Sequence, residues 1–131
     1  MHFYGIIKKR KSGDLMTEKM KIIDFLRENQ LDAIFVQKDE NCRYLSKFTG
    51  SDSYLLLTKE ELYLLTDSRY TEQARKEAAD YTVVDYKGHL AEIVAKLAGE
   101  YHIKTMGVET VFSYQMYLSF HEYMPNIEFR F

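Results

Sequence analysis

Beginning after Thr17, apolar residues recur at helical spacing: Met20, Ile23, Phe25 and Leu26, with charged residues between them. This pattern predicts an amphipathic helix over 18–29, capped by Thr17 and ended by Asn29-Gln30-Leu31-Asp32. The pattern then changes to a continuous apolar run, Ala33-Ile34-Phe35-Val36, the mark of a strand covered on both faces. Lys38-Asp39-Glu40-Asn41 reads as a polar loop, Cys42 to Lys47 as a short helix, and Thr49-Gly50-Ser51-Asp52 as a turn. Two further strand-like runs, Tyr54 to Thr58 and Leu62 to Thr66, are separated only by Lys59-Glu60-Glu61. Strands joined that closely must be antiparallel neighbours.

Asp67 or Ser68 is placed to cap a helix over 69–79. Tyr81 to Asp85 follows as a fourth strand. Leu90, Ile93-Val94 and Leu97 mark an amphipathic helix that ends at Gly99 or shortly after. Thr105 to Glu109 is a fifth strand, and Ser113 starts a helix that Pro125 stops. The alternation of Ile127, Phe129 and Phe131 within Asn126 to Phe131 predicts a half-buried last strand. The resulting order, α-β-(short α)-β-β-α-β-α-β-α-β, predicts an α/β fold: a mixed sheet of about six strands with helices on its faces.

The chain has 131 residues, enough for one domain to bury a core without disulfide or metal. Residues 1–16 read as a flexible leader and 17–131 as the folded unit. Phe3 to Ile7 followed by Lys8-Lys9-Arg10-Lys11 has the charge on the wrong side for a signal peptide. No apolar run approaches the roughly 20 residues that a membrane span needs. The net charge of −2, from 18 basic and 20 acidic residues, gives no drive toward nucleic acid or an anionic membrane. The single cysteine, Cys42, excludes an internal disulfide and fits a cytoplasmic setting. The 11 tyrosines and 8 phenylalanines are read first as rings packed on strand and helix faces.

The usual catalytic devices are missing. His2, His89, His102 and His121 are scattered over unrelated segments, the six glycines make no phosphate-binding loop, and no serine lies in a nucleophile elbow. Cys42 reads as a packed apolar thiol, with Arg43 as the neighbour that would otherwise lower its pKa. Thr66-Asp67-Ser68-Arg69-Tyr70 stands out because it directly follows a strand. If Arg69 lies in a first helical turn, it opposes the positive end of the helix dipole, which calls for a partner carboxylate. Asp67, another aspartate of the domain, or a group on another chain would meet that need.

Three stretches together resemble a known family. They are Leu31 to Val36 with Asn41-Cys42-Arg43-Tyr44-Leu45-Ser46-Lys47-Phe48-Thr49-Gly50-Ser51, then Leu64 to Ala74 containing Thr-Asp-Ser-Arg-Tyr, then Met106-Gly107-Val108-Glu109 with Ser113-Tyr114. In this order they resemble the amino-terminal domain of creatinase/prolidase-type enzymes, the bacterial Xaa-Pro aminopeptidases and Xaa-Pro dipeptidases, from about Met20 to Phe131. The resemblance implies a three-layer α/β/α, ribonuclease-H-like fold.

It also implies that chemistry belongs to a separate carboxy-terminal "pita-bread" domain absent from this sequence. There two divalent metal ions (Mn, Co or Zn) are held by two Asp, one His and two Glu. On that reading this chain alone is not an enzyme, has no catalytic residue and no metal ligand, and needs no cofactor of its own, whereas its parent is an Xaa-Pro metallopeptidase. The implied partners are the parent's own catalytic domain, neighbouring subunits in a homodimer or larger assembly, and short proline-containing peptides. The motif positions Phe48, Arg69 and Tyr70 are the candidates for shaping a neighbouring subunit's cleft, with Arg69 attracting a substrate carboxylate. Lys47 stands where the family often has Gly. A stand-alone binding domain of the same fold is the alternative.

Overall fold

A computed structural model describes residues 17–131. Among these, helix α1 (Glu18–Glu28) starts as its cap predicts, with the Thr17 hydroxyl accepting the Met20 N–H at 3.1 Å, and its inner face buries Ile22, Phe25 and Leu26. Strand β1 (Ala33–Val36) is buried throughout. After α2 (Asp39–Ser46) come β2 (Tyr54–Thr58) and β3 (Leu62–Thr66), whose turn is tied by the Thr58 hydroxyl. That hydroxyl donates to the Glu61 carbonyl and accepts the Glu61 N–H. Then follow α3 (Thr71–Glu77), β4 (Thr82–Asp85), α4 (Leu90–Glu100), β5 (Thr105–Val108), α5 (Tyr114–Tyr123) and β6 (Glu128–Arg130). Ser113 caps α5 by accepting the Met116 N–H at 3.0 Å.

The six strands form one sheet in the order β4-β3-β2-β1-β5-β6. β2 is antiparallel to both β1 and β3, and the remaining pairs are parallel. Only β2 therefore runs against the others, so the carboxyl ends of five strands and the amino end of β2 share one end of the sheet. Alternation along the strands divides the core in two. Ile34, Val36, Leu55, Leu57, Leu62 and Leu64 pack beneath α1, α2 and α3. Ala33, Phe35, Leu56, Tyr63, Leu65, Met106 and Val108 pack beneath α4 and α5. This is the expected three-layer α/β/α arrangement. The second face also takes up much of the aromatic content: Phe35 meets Phe120 edge-on at 4.9 Å and Phe112 stacks on Phe129 at 5.7 Å.

Two helix starts differ from expectation. α2 begins at Asp39, inside the stretch read as a polar loop, because Asp39 and Glu40 complement the helix dipole and a distant carboxylate serves its amino end. α3 begins at Thr71, and neither Asp67 nor Ser68 caps it; its cap position is Tyr70, which makes no side-chain cap bond. Asp67 instead accepts the Arg69 N–H at 2.9 Å, which closes a turn just ahead of the helix. Arg69 and Tyr70 thus precede the first helical turn, and no conflict with the dipole arises.

Candidate functional site at the carboxyl end of the sheet

The loops at this end of the sheet contain the three cleft candidates, Phe48, Arg69 and Tyr70. Loop 47–53 enters β2, loop 67–70 leaves β3, and Glu109 directly follows β5. Lys47 closes α2 in the left-handed conformation, at φ 70° and ψ 4°. That is the geometry in which a glycine would be free of Cβ strain, so the lysine preserves a glycine-like turn without glycine's freedom. Its ammonium folds back, donating to the Tyr44 carbonyl at 2.9 Å and lying 5.0 Å from the Tyr44 ring.

Phe48 turns inward. It is 1% exposed, within the core beneath α1 to α3. Gly50 leaves room for its ring: a Cβ there would lie 2.8 Å from Phe48 Cε2 and closer still to Cζ. The ring anchors the loop, so any effect of Phe48 on a cleft passes through the loop that it holds. Thr49 is clasped to α3, its N–H and its hydroxyl each donating to Glu77 Oε1 at 2.8 Å. Gln73 donates to Glu77 Oε2 at 3.1 Å. The Thr49 N–H leads the donors that hold the Glu77 carboxyl below the usual range.

Arg69 is fixed within the domain. Its Nε and Nη2 donate to the two Asp67 oxygens at 3.1 and 2.8 Å, and Asp52 stands 3.9 Å from Nη2. Asp67 is thus the partner carboxylate that the sequence called for. The bidentate pair raises the Arg69 pKa further and lowers that of Asp67. The guanidinium also lies 5.1 Å from the Tyr70 ring. The Arg69 side chain is nevertheless 68% exposed, and its Nη1 has no partner among the described residues. One guanidinium against two carboxylates makes the cluster −1 in formal charge, so Arg69 presents directed N–H groups and no net positive field.

In the sequence Glu109 reads only as the end of a strand; in the fold it carries more. At 4% exposure it accepts the N–H groups of Gln37 and Lys38 through Oε1, at 2.6 and 2.8 Å. Its Oε2 accepts from the Asn41 amide at 2.5 Å. This is the carboxylate that serves the amino end of α2. An acid closing an apolar strand was its only trace in the sequence, and the partner lay some seventy residues away.

Cys42 is buried against the carbonyls of Val36 and Ser53, at 3.6 and 3.7 Å. Burial, with Glu109 and Asp39 nearby, pushes its thiol up to about 12, which overrides any effect of Arg43. Among the described residues no three His, Cys, Asp or Glu side chains converge as metal ligands, so no metal-dependent step is assigned to them. No described helix is long and apolar enough to cross a membrane.

Residues 20–130 match the family model of the creatinase/prolidase N-terminal domain. The chain belongs to that family. The creatinase/prolidase domain is 33% identical over 103 residues to an Xaa-Pro dipeptidase of Pyrococcus horikoshii, covering 77% of this chain and 28% of that protein. It resembles the solved Xaa-Pro dipeptidase of Bacillus anthracis with a TM-score of 0.72 at 32% identity, over 86% of this chain and 32% of the other. The Xaa-Pro aminopeptidase structure from Streptococcus thermophilus superposes with a TM-score of 0.78 at 26% identity, over 89% and 91% of the two chains. The domain thus spans less than a third of the length of the curated dipeptidase, and the three quoted stretches all lie within the matched region.

Proposed function

We propose that this chain is the non-catalytic amino-terminal domain of a metal-dependent Xaa-Pro peptidase, and that it supports subunit assembly and shapes access to a neighbouring active site. The observation that carries the reading is the exposed Arg69, held by Asp67 at the carboxyl end of the sheet beside the half-buried Tyr70 ring. In α/β folds that end is where ligands are met. A bidentate carboxylate orients Arg69 before any substrate arrives, so its unpaired Nη1 edge is aimed without further loss of rotamer freedom. The arginine acts by direction, since Asp52 and Asp67 together outweigh its charge. The two metal ions, and the peptide bond that they would hydrolyse, belong to the second domain of the parent enzyme.

Two measurements test this. The 131-residue chain incubated with Mn²⁺ and an Xaa-Pro dipeptide is expected to give no turnover above blank; reproducible metal-dependent cleavage would overturn the assignment. In the parent enzyme, Arg69→Ala is expected to raise KM with little change in kcat, as befits lost positioning contacts. If kinetics and oligomeric state both stay unchanged, Arg69 serves only its own loop.

A further inference from the structure

We infer that the free edge of β6, with the outer flank of α5, is a self-association surface whose partner is a second copy of this chain, paired β6 to β6 in antiparallel orientation. This rests on the assembly half of the function proposed above and is independent of the cleft half. Among the described residues β6 ends the sheet, and one side of its backbone has no strand partner there. Glu128 donates its N–H inward to the Lys104 carbonyl at 2.8 Å, so by alternation the N–H and C=O of Phe129 point outward. A two-fold axis through Phe129 therefore makes Phe129 and its copy a hydrogen-bonded pair.

The same register sets Glu128 opposite Arg130 of the second copy, and Arg130 opposite its Glu128. These are non-hydrogen-bonded pairs, in which side chains approach most closely. Glu128 is exposed and Arg130 half-buried; in the single chain they pair with each other at 2.7 Å, and Arg130 Nη1 also donates to the Gln30 carbonyl. An edge protected against pairing carries like charges or proline. This one carries opposite charges that are complementary to themselves under two-fold symmetry.

The flanking surface is apolar. Among the described residues six large hydrophobic side chains are exposed, and three of them, Tyr114, Leu118 and Phe131, belong to this flank, whereas Tyr123 lies on the α4 side of α5. Tyr117 of α5 meets Phe129 edge-on at 5.7 Å, and Tyr114 and His121 stack on either side of Tyr117. Tyr114, 74% exposed, and Leu118 one turn on therefore flank the β6 edge, alongside Phe131, 62% exposed. The other free edge, β4, offers neither property. The equivalent two-fold would put Thr82 opposite Asp85, and none of the exposed large hydrophobics lies in that strand.

The test is the solution mass of this chain by sedimentation equilibrium over a wide range of concentration. The mass is expected to rise from 15.6 kDa toward twice that value. Glu128→Arg and Arg130→Glu each turn two attractive cross-strand pairs into repulsive ones and should weaken association about tenfold or more. Mixing the two variants restores both pairs, and so does the double charge swap; each is expected to recover association. A chain monomeric at every concentration overturns the inference, as does association that survives either single variant or fails to return in the mixture. Hydrogen exchange on the unmodified chain gives a readout that needs no variant. The Phe129 amide should exchange more slowly as concentration rises, and an unchanged rate alongside a rising mass would place the interface elsewhere. The Arg69→Ala kinetics have no bearing on any of these outcomes, so the two readings can fail separately.

Discussion

Glu109→Ala removes one buried side chain and unpairs three donors. In the native domain its carboxylate serves the N–H groups of Gln37 and Lys38 and the amide of Asn41. A buried donor left without an acceptor costs about 1–3 kcal/mol. Water entering the vacated space will recover part of that, and the expected loss is about 3–5 kcal/mol, a large share of the roughly 5–15 kcal/mol that stabilises a domain. Asn41→Ala deletes only the charge-assisted bond and leaves both backbone donors satisfied, for about 1.5–3 kcal/mol. The Asn41→Ala change should cost little once Glu109 is gone, so the double variant should fall short of the sum by about 1–2 kcal/mol. Urea unfolding followed by far-ultraviolet circular dichroism measures all three, and the absence of tryptophan makes backbone signal the natural probe. If Glu109→Ala loses less than about 1 kcal/mol, or if the two changes simply add, the carboxylate is not the tertiary cap of α2 described above.

Three further outcomes follow from local geometry. Lys47→Gly relieves a left-handed residue at φ 70° and should stabilise the domain by about 0.5–1 kcal/mol in the same unfolding assay, since strain relief exceeds the added chain entropy. Cys42 has its thiol raised to about 12 in the fold against about 8.5 when unfolded, so the unfolded chain loses its proton first. Stability should therefore fall by about 1.4 kcal/mol per pH unit above about 8.5, until Tyr54, Tyr63, Tyr81 and Tyr86, all raised by burial, add their own slopes above about 10; Cys42→Ala should flatten the first part of the profile. For Asp32, burial alone would raise the pKa, but N–H donation from Lys104 and Thr105 and the Thr105 hydroxyl outweigh it and hold the carboxyl low. Its stabilisation is complete above the unfolded pKa and is lost as pH falls through the lower folded value, so Asp32→Asn should reduce the acid sensitivity of unfolding.

The strands were legible because each central run is apolar throughout, and a sheet covered on both faces leaves no other use for Ala33–Val36 or Leu62–Leu65. The helix caps at Thr17 and Ser113 were legible because a cap acts within three residues of itself. The start of α2 was not, because the group that satisfies its amino end is Glu109, which no local pattern connects to Lys38. The segment after β3 failed for a related reason. Asp67 reads equally well as a helix cap or as a turn-former, and only the bidentate hold on Arg69 decides between them. Lys47 marks an intermediate case: its departure from the family's glycine was visible, yet the backbone keeps the left-handed turn regardless.

The three stretches that identify the family turn out to hold one another. Glu109 joins the third to Asn41 of the first, Glu77 and Gln73 clasp α3 to Thr49 of the first, and Asp67 with Asp52 fixes Arg69 between the second and the loop before β2. Most of the motif side chains are therefore spent on geometry: buried carboxylate bonds, a ring packed over Gly50, a glycine-like turn. At that end of the sheet this geometry leaves the Nη1 edge of Arg69 facing outward, beside the half-buried Tyr70 ring and among the exposed polar side chains of the two loops. If the domain shapes a neighbouring active site, as proposed above, the groups that it presents have to be rigid, because any slack in them would be lost as orientation. The interlocking of the motifs supplies that rigidity, and it explains why these stretches are so distinctive.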